Sequence, residues 1–438
     1  MKTFIIRDYP DLDHIFPLIK VFVEKNKKVN ILNFEINLNL NEDLRIKYLL
    51  ENYKDNINLV EIYKLKGQRI FLDKILNILA SEKYKSVNFK NINNLKKNNN
   101  TFVFCYLFLI CFLKKIIFSA NSIYESLFFN KSWSENIIKK LNITSVVMDD
   151  SYYINFNRPQ SLIKNCKTKG IKITLVPHTC YMFTRIEDTE NLKSKNLKNF
   201  YPNVIVTSEK IKKIFHSCGI NDEKITNLGS ARFSKDNINL LERIYETEKK
   251  YKDNLKNNKL NILYIDGAYD IKDKKIELIH EISKLNKYNF KVKAHPRGLF
   301  QFDKSNKNEK KFNKNTNTNF LIDISTPTKK LIEESDIVIG TYSSALIDAI
   351  ILKKKLLFPK FLLNKNSKFE IFYESYNVAN SFLNLNDMLK FLINIDELQF
   401  TKFVDEYDTD IFLRDYVYGG KKNSDEILNN YFKFLEVN

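Results

Sequence analysis

"SDIVIGTYSSALIDAI", residues 335–350, runs from a short apolar stretch into an apolar helix through a bend rich in hydroxyls. Ile337, Val338 and Ile339 read as a strand that ends at Gly340. Thr341, Ser343 and Ser344 then precede the helix. Hydroxyls and backbone N–H groups at a helix start form a site for an anion. Plain N-capping needs only one of the serines, so that simpler role stays open. Asp348, one turn later, is placed to steady the loop or to face a ribose.

The same alternation extends in both directions. Upstream lie strands at 260–266 and 289–295, a helix near 272–287, a strand at 319–324 and a helix near 327–334. Downstream, a helix near 344–352 leads to a strand at 355–359. The first half repeats the pattern, with strands at 3–6, 29–33, 58–62, 144–148, 172–176 and 203–207. Helical patterns fall at 69–84 and at 161–170, the latter closed by Gly170. Strands alternating with amphipathic helices predict parallel sheets with helices on both faces. A charged segment at 242–259 reads as a helix running into a linker. We therefore expect an acceptor-side lobe at 1–240 and a nucleotide-donor lobe at 241–400. A helical tail follows at 401–438, its last segment opening on a cap signal at Ser424. Two Rossmann-like lobes with parallel sheets facing a central cleft make the α/β GT-B plan. The dinucleotide fingerprint G-x-G-x-x-G and the Walker A loop are both absent, which argues against dehydrogenases and P-loop hydrolases.

Composition narrows the classes further. The 438 residues carry 71 Lys and Arg against 52 Asp and Glu, a formal charge of +19. Asn, Lys and Ile are over-used, as A/T-rich codons would produce, so the charge is discounted as a partner signal. No recognition motif supports nucleic acid as a partner. The five cysteines form no C-x-x-C pair, which fits a reducing compartment. Asp8, Asp11 and Asp13 come too early for a secretory signal, so the expectation is a cytoplasmic protein. The apolar stretch 101–118 has an uncharged run too short to span a bilayer. It reads as a buried core helix, or else as a helix lying on the inner face of a membrane. The loop 302–319 is solvated by composition.

Candidate chemistry falls at strand ends. His178 follows a strand closed by Pro177, where a neutral imidazole can take a proton from a hydroxyl. Asp266 ends another strand, and Gly267 after it permits a tight turn or close ligand approach. Asp266 is a second candidate base, or part of an ordinary Asp–Gly turn. His295 and Arg297, in "VKAHPRG", offer N–H donors to a phosphate, and Arg suits bidentate contact. Asp149 and Asp150 follow a strand, but adjacent carboxylates point apart on an extended chain. They read as a cleft or turn feature and not as a metal site.

The order "KAHPRG" and then "SDIVIGTYSSALIDAIILKKKLLFP" resembles the C-terminal lobe of GT-B enzymes that build bacterial surface polymers. It is most similar to teichoic-acid glycerophosphotransferases and related capsule polysaccharide enzymes. "PNVIVTSEKIKKIFHSCGINDEKITNLGSARFSKD" resembles their segment between lobes, including a Gly-x-x-Arg turn. "VPHT" stands where they carry a His-Gly motif, with Thr179 in place of the glycine. The resemblance covers roughly residues 145 to 375. It implies a glycosyltransferase or glycerophosphotransferase of capsule or surface polysaccharide synthesis. His178 would be the base, and His295, Arg297, Thr341, Ser343 and Ser344 would hold the donor phosphate or its sugar. No metal or other cofactor is implied. The partners would be a CMP-, CDP- or UDP-linked donor and a glycan or lipid-linked acceptor, with peripheral membrane contact as one option. A rival resemblance, to sialyl- or Kdo-transferases using CMP-sugars, rests on Asp266-Gly267, His295-Pro296 and Ser343-Ser344 and makes Asp266 the base. A third reading is a non-catalytic scaffold of the same fold.

Overall fold

The computed structural model describes residues 1–7, 9–34, 38–62, 130–150, 160–178, 183–185, 202–246, 259–267, 270–294, 321–323, 326–341, 343–363, 369–371, 376–395, 406–421 and 424–437. The helical pattern at 69–84, the stretch 101–118, the loop 302–319, and His295 and Arg297 lie outside them. The strands expected from the sequence form, their ends shifted by a residue or two.

The first sheet contains β1 (Lys2–Ile6), β2 (Val29–Asn33), β3 (Ile57–Glu61), β4 (Ser145–Asp149), β5 (Lys172–Val176), β7 (Asn203–Val206) and β8 (Ile225–Asn227), in the order β3-β2-β1-β4-β5-β7-β8. The second contains β9 (Leu260–Ile265), β10 (Tyr288–Lys293), β11 (Leu321–Asp323), β12 (Ile337–Gly340), β13 (Lys355–Pro359) and β15 (Asn380–Phe382), in the order β11-β10-β9-β12-β13-β15. Every pairing within both sheets is parallel. Strands covered on both faces read as unbroken apolar runs; β4, β12 and β13 are buried along their whole length. Strand order reverses between β1 and β4 in the first sheet and between β9 and β12 in the second. Such a switch point opens a crevice at the C-terminal ends of the strands.

The helices of the first lobe are α1 (Tyr9–Glu24), α2 (Leu44–Tyr53), α3 (Lys131–Lys140), α4 (Gln160–Thr168), α5 (Glu209–Ser217) and α6 (Lys235–Glu246). Those of the second are α7 (Lys272–Ser283), α8 (Thr328–Glu333), α9 (Ala345–Ile351) and α10 (Leu385–Asn394). One apolar cluster runs from Ile5, Val146 and Leu175 of the first sheet to Leu263, Val338 and Leu346 of the second lobe. A two-stranded antiparallel ribbon adds a further link: β6 (Phe183–Arg185), shortly after His178, pairs with β14 (Phe369–Ile371).

The chain ends by returning to the first lobe through α11 (Glu406–Phe412) and α12 (Ile427–Val437). Ile427, Leu428, Tyr431, Phe432 and Leu435 of α12 are buried in one cluster with Phe4, Ile6 and the apolar face of α1. Tyr431 donates its hydroxyl proton to the Gly229 carbonyl at 2.8 Å. Ser230 N–H donates to the Val417 carbonyl at 2.7 Å, and Gly419 N–H to that of Thr207 at 3.1 Å. Ser424 does not cap α12 with its side chain as the sequence suggested. The chain turns through Asp425 and Glu426 before the helix starts, so the Ser424 hydroxyl faces α6 and accepts the Lys235 N–H at 2.9 Å.

Gly229 sits where the two segments touch. Its φ is +81°, and a Cβ there would stand 2.9 Å from the Tyr418 carbonyl carbon. Gly170, with φ +68°, has nothing within 4 Å of its Cβ position. Both positions cost a side chain about 1–2 kcal/mol of backbone strain, but only Gly229 adds a collision. Gly229→Ala is therefore expected to lower the unfolding free energy in denaturant by at least ~1 kcal/mol more than Gly170→Ala. Equal losses would show that the docked C-terminal segment yields freely.

Candidate functional site

Three strand ends meet at the switch point of the first sheet. Arg7 follows β1, Asp149 ends β4, and His178 follows β5 after Pro177 has stopped the strand. Arg7 and Asp149 are buried; His178 keeps about a quarter of its side chain exposed. Asp149 Oδ2 lies 3.0 Å from His178 Nδ1. The Arg7 guanidinium donates to the Asp149 carbonyl at 2.9 Å and to its Oδ1 at 3.3 Å. Asp11, in the first turn of α1, accepts from Arg7 Nε at 3.1 Å and from its backbone N–H at 2.9 Å. The His178 backbone N–H donates to Asp150 Oδ1 at 3.1 Å. Asp149 and Asp150 thus converge on one residue, contrary to the expectation that they point apart. Asp150 lies beyond the end of β4, where alternation no longer dictates direction.

These contacts set the charges. Burial alone would lower the His178 pKa, but the hydrogen bond and charge of Asp149, aided by Asp150 and Asp11, raise it to about 9. Burial would raise Asp149, yet His178, His14 and Arg7 bring it down to about 2. At neutral pH the pair is an imidazolium and a carboxylate. His14, on α1, is buried with its ring centroid 5.6 Å from that of His178. Burial and the Arg232 charge lower its pKa to about 3, so His14 is neutral.

The second lobe carries its own polar cluster between β9 and β12. Asp266 is fully buried and paired with the equally buried Lys275 of α7. Lys275 also donates to the Gly267 carbonyl at 2.7 Å. Asp270 accepts from the Tyr264 hydroxyl at 2.9 Å, from the Gly267 N–H at 3.2 Å and from the Thr341 hydroxyl. A Cβ on Gly267 would lie 2.6 Å from both the Asp270 carboxylate and the Thr341 hydroxyl. The close approach expected at this glycine is therefore made by two side chains of the protein. The Ser343 hydroxyl accepts the Ala345 N–H at 3.3 Å, while Ser344, the N-cap residue of α9, makes no side-chain capping bond.

Arg232, in the Gly-x-x-Arg turn after β8, joins the two lobes. Its guanidinium lies 3.1 Å from Asp13 Oδ2 on α1 and 3.3 Å from Asp348 Oδ2 on α9, and donates to the Ser344 hydroxyl at 3.4 Å. Desolvation would raise Asp13, but Arg232 and Arg45 hold it down at about 2. Because α1 follows β1 and α9 follows β12, this bridge sets the C-terminal edges of the two sheets face to face. A second link, Lys329 to Glu242 at 3.0 Å, ties α8 to α6. Of the residues singled out in the sequence, His178 lies on the first edge, and Asp266, Thr341, Ser343 and Ser344 on the second. Arg7, Asp11, His14 and Arg232 were not assigned roles. Arg232 had a signal in the Gly-x-x-Arg turn, whereas the α1 residues had none beyond an acidic helix start.

Neither a protein-family model nor a curated protein matches the chain. Solved structures do. A UDP-GlcNAc 2-epimerase from Methanocaldococcus jannaschii is similar with a TM-score of 0.56 at 14% identity, over 99% of this chain and 100% of that one. A UDP-GlcNAc 2-epimerase from Neisseria meningitidis, bound to UDP-GlcNAc, is similar with a TM-score of 0.55 at 11% identity, over the whole of both chains. A glycosyltransferase from Rickettsia africae is similar with a TM-score of 0.51 at 14% identity, over 100% and 97%. With the two parallel-sheet lobes, these likenesses establish the GT-B fold. Among the described residues, no helix is long and apolar enough to cross a membrane.

The Asp149–His178 pair has a measurable signature. By NMR, His178 should titrate near pH 9 in the wild type, and at or below an ordinary 6.5 in Asp149→Asn. Its raised pKa adds stability that is complete below pH 6.5 and is lost as the pH rises through about 9. That decline in unfolding free energy should be present in the wild type and absent in Asp149→Asn. An unshifted His178 in the variant would show that Asp149 does not hold the proton.

Proposed function

We propose that this chain is a nucleotide-sugar-dependent glycosyltransferase of bacterial surface polysaccharide synthesis, with His178 as the proton acceptor. The Asp149–His178 pair carries the reading. It stands at the switch-point edge of one lobe, where a GT-B enzyme would place its acceptor, and faces the edge where the donor would lie. Asp149 holds Nδ1 and orients the ring, and Nε2 is the nitrogen proposed to take the proton of an acceptor hydroxyl. Transfer then proceeds by attack of the acceptor oxygen on the donor as its proton passes to Nε2 and the nucleotide phosphate departs. Asp266 is the weaker candidate, because its carboxylate has no exposed surface and is matched by Lys275. His295 and Arg297, together with Thr341, Ser343 and Ser344, are proposed to receive the donor phosphate. Positive groups there stabilise the leaving nucleotide without a metal ion.

The similar solved structures favour uridine diphosphate sugars as the first donors to test, since two are named as UDP-GlcNAc 2-epimerases. They also support a second reading, epimerisation of the donor itself. The two differ in product: an epimerase converts the donor without an acceptor, and a transferase consumes one.

A thermal-shift panel of UDP-, CDP-, CMP- and GDP-linked sugars is expected to single out one nucleotide class. If none raises the melting temperature, the scaffold reading replaces the enzyme. With that donor, His178→Ala should lower turnover by roughly 10²–10⁴-fold with little change in donor affinity. In the wild type, kcat/KM should rise with pH and level off near pH 9, where the ring loses its proton. A flat profile, or normal turnover in His178→Ala, removes His178 as the base.

His295→Ala and Arg297→Ala should each weaken donor binding by about 1.5–3 kcal/mol, the worth of a charge-assisted phosphate contact. Unchanged donor affinity in both, measured by calorimetry on folded protein, would place the phosphate elsewhere.

A further inference from the structure

The pair at the first edge has a third member that proton transfer does not use. His14 reaches the pair from α1, and one donor atom from each of His14, Asp149 and His178 lies within 4.8 Å of the other two. His14 is 4% exposed, and its ring stands against that of His178. Two imidazoles and one carboxylate are the donor set of an open transition-metal centre, with three protein ligands and a fourth position for water or substrate.

The Asp149–His178 spacing is close to what such an ion needs, and His14 would close in from within 4.8 Å. Metal–ligand distances of about 2.0–2.1 Å in a tetrahedron put neighbouring donor atoms about 3.3 Å apart. Asp149 Oδ2 and His178 Nδ1 are 3.0 Å apart. The supports around them are those that orient metal ligands. Arg7 holds the other oxygen of Asp149, and Asp150 holds the His178 backbone. Asp11, Asp13 and Asp150 add carboxylates near the cluster, opposed by Arg7 and Arg232. His178 is the most exposed of the three ligands, so the open position faces the cleft.

We propose that His14, Asp149 and His178 bind one divalent transition-metal ion of the zinc class. Coordination through Nδ1 leaves the His178 proton on Nε2. Metal occupancy and proton acceptance by Nε2 therefore exclude one another, and the ion would act as a stoichiometric inhibitor of transfer. That last consequence rests on the function proposed for His178, whereas the binding site does not.

The test is titration of the full chain, after treatment with a chelator, with Co²⁺. Saturation at one ion per chain, with visible d–d absorption that Zn²⁺ displaces, is the expected result. His14→Gln and Asp149→Asn should each weaken binding by more than the roughly 10–100-fold that loss of an outer partner costs. No saturable absorption in the wild type, or unchanged affinity in folded His14→Gln, overturns the site. If His14→Gln does not fold, the wild type decides alone. Its Co²⁺ form should show paramagnetically shifted ring N–H signals from two histidines, and one or none rejects the proposal. Transfer by chelator-treated protein, abolished by one equivalent of Zn²⁺, supports both inferences. Transfer that requires the ion keeps the site and rejects metal-free proton acceptance, while binding of Zn²⁺ with undiminished transfer rejects the inhibitory role.

Discussion

Asp149 is a carboxylate with no contact with water, placed where two halves of a sheet diverge. Such a charge survives burial only if opposite charge and hydrogen bonds surround it. That requirement accounts for much of the first lobe's polar architecture. Arg7 takes one oxygen and the backbone carbonyl, His178 takes the other oxygen, and Asp11 in turn holds Arg7. Each partner comes from a different strand or helix, so the pairing fixes how β1, β4, β5 and α1 meet. Among the described residues, the exposed face of the network is the His178 imidazole, and its proton is held by a charge that cannot leave.

The same logic operates between lobes. Arg232 sits between Asp13 and Asp348, one carboxylate from each side of the cleft. Parallel strands require crossovers that return every helix start to the same edge, so both carboxylates stand at the mouths of their sheets. A guanidinium fits this place because its planar fork reaches two acceptors at once. The lobes are thereby joined by charge at the cleft, by apolar packing beneath it, and by the ribbon of β6 and β14. The polar cluster around Gly267 has a different character. Asp270 is held by Tyr264 and Thr341 and Asp266 by Lys275, and Gly267 is needed so that Asp270 and Thr341 can meet beside it.

The fold was legible because parallel strands covered on both faces must be apolar along their length. Runs such as "SVVMD" and "KLLFP" cannot be mistaken for amphipathic surface elements once helices separate them. His178 was legible for a local reason, since Pro177 stops a strand and puts the next side chain at an edge. Its partner was not. Asp149 and His178 come together only because β4 and β5 are neighbours in register, which no local pattern reveals. Treating Asp149 and Asp150 as residues of an extended chain gave the wrong directions, because the strand ends between them. His14 was hidden more thoroughly still. It lies within a helical pattern, and its approach to His178 depends on the pitch of α1 across the sheet. Ser424 shows the reverse error, a local capping signal spent on another helix.

The return of α12 to the first lobe has a consequence for how the protein is made. The last strand of the first sheet ends at Asn227, but the apolar face of α1 is covered only by residues up to Leu435. At about 5–20 residues per second, a ribosome needs roughly 10–40 s to travel between those points. Throughout that interval Phe4, Ile6, Phe16 and Phe22 lack part of their cover. The second lobe, complete much sooner after its strands emerge, can close while the first still waits. Synthesis from the N-terminus therefore yields a molecule whose first-made half is the last to be sealed.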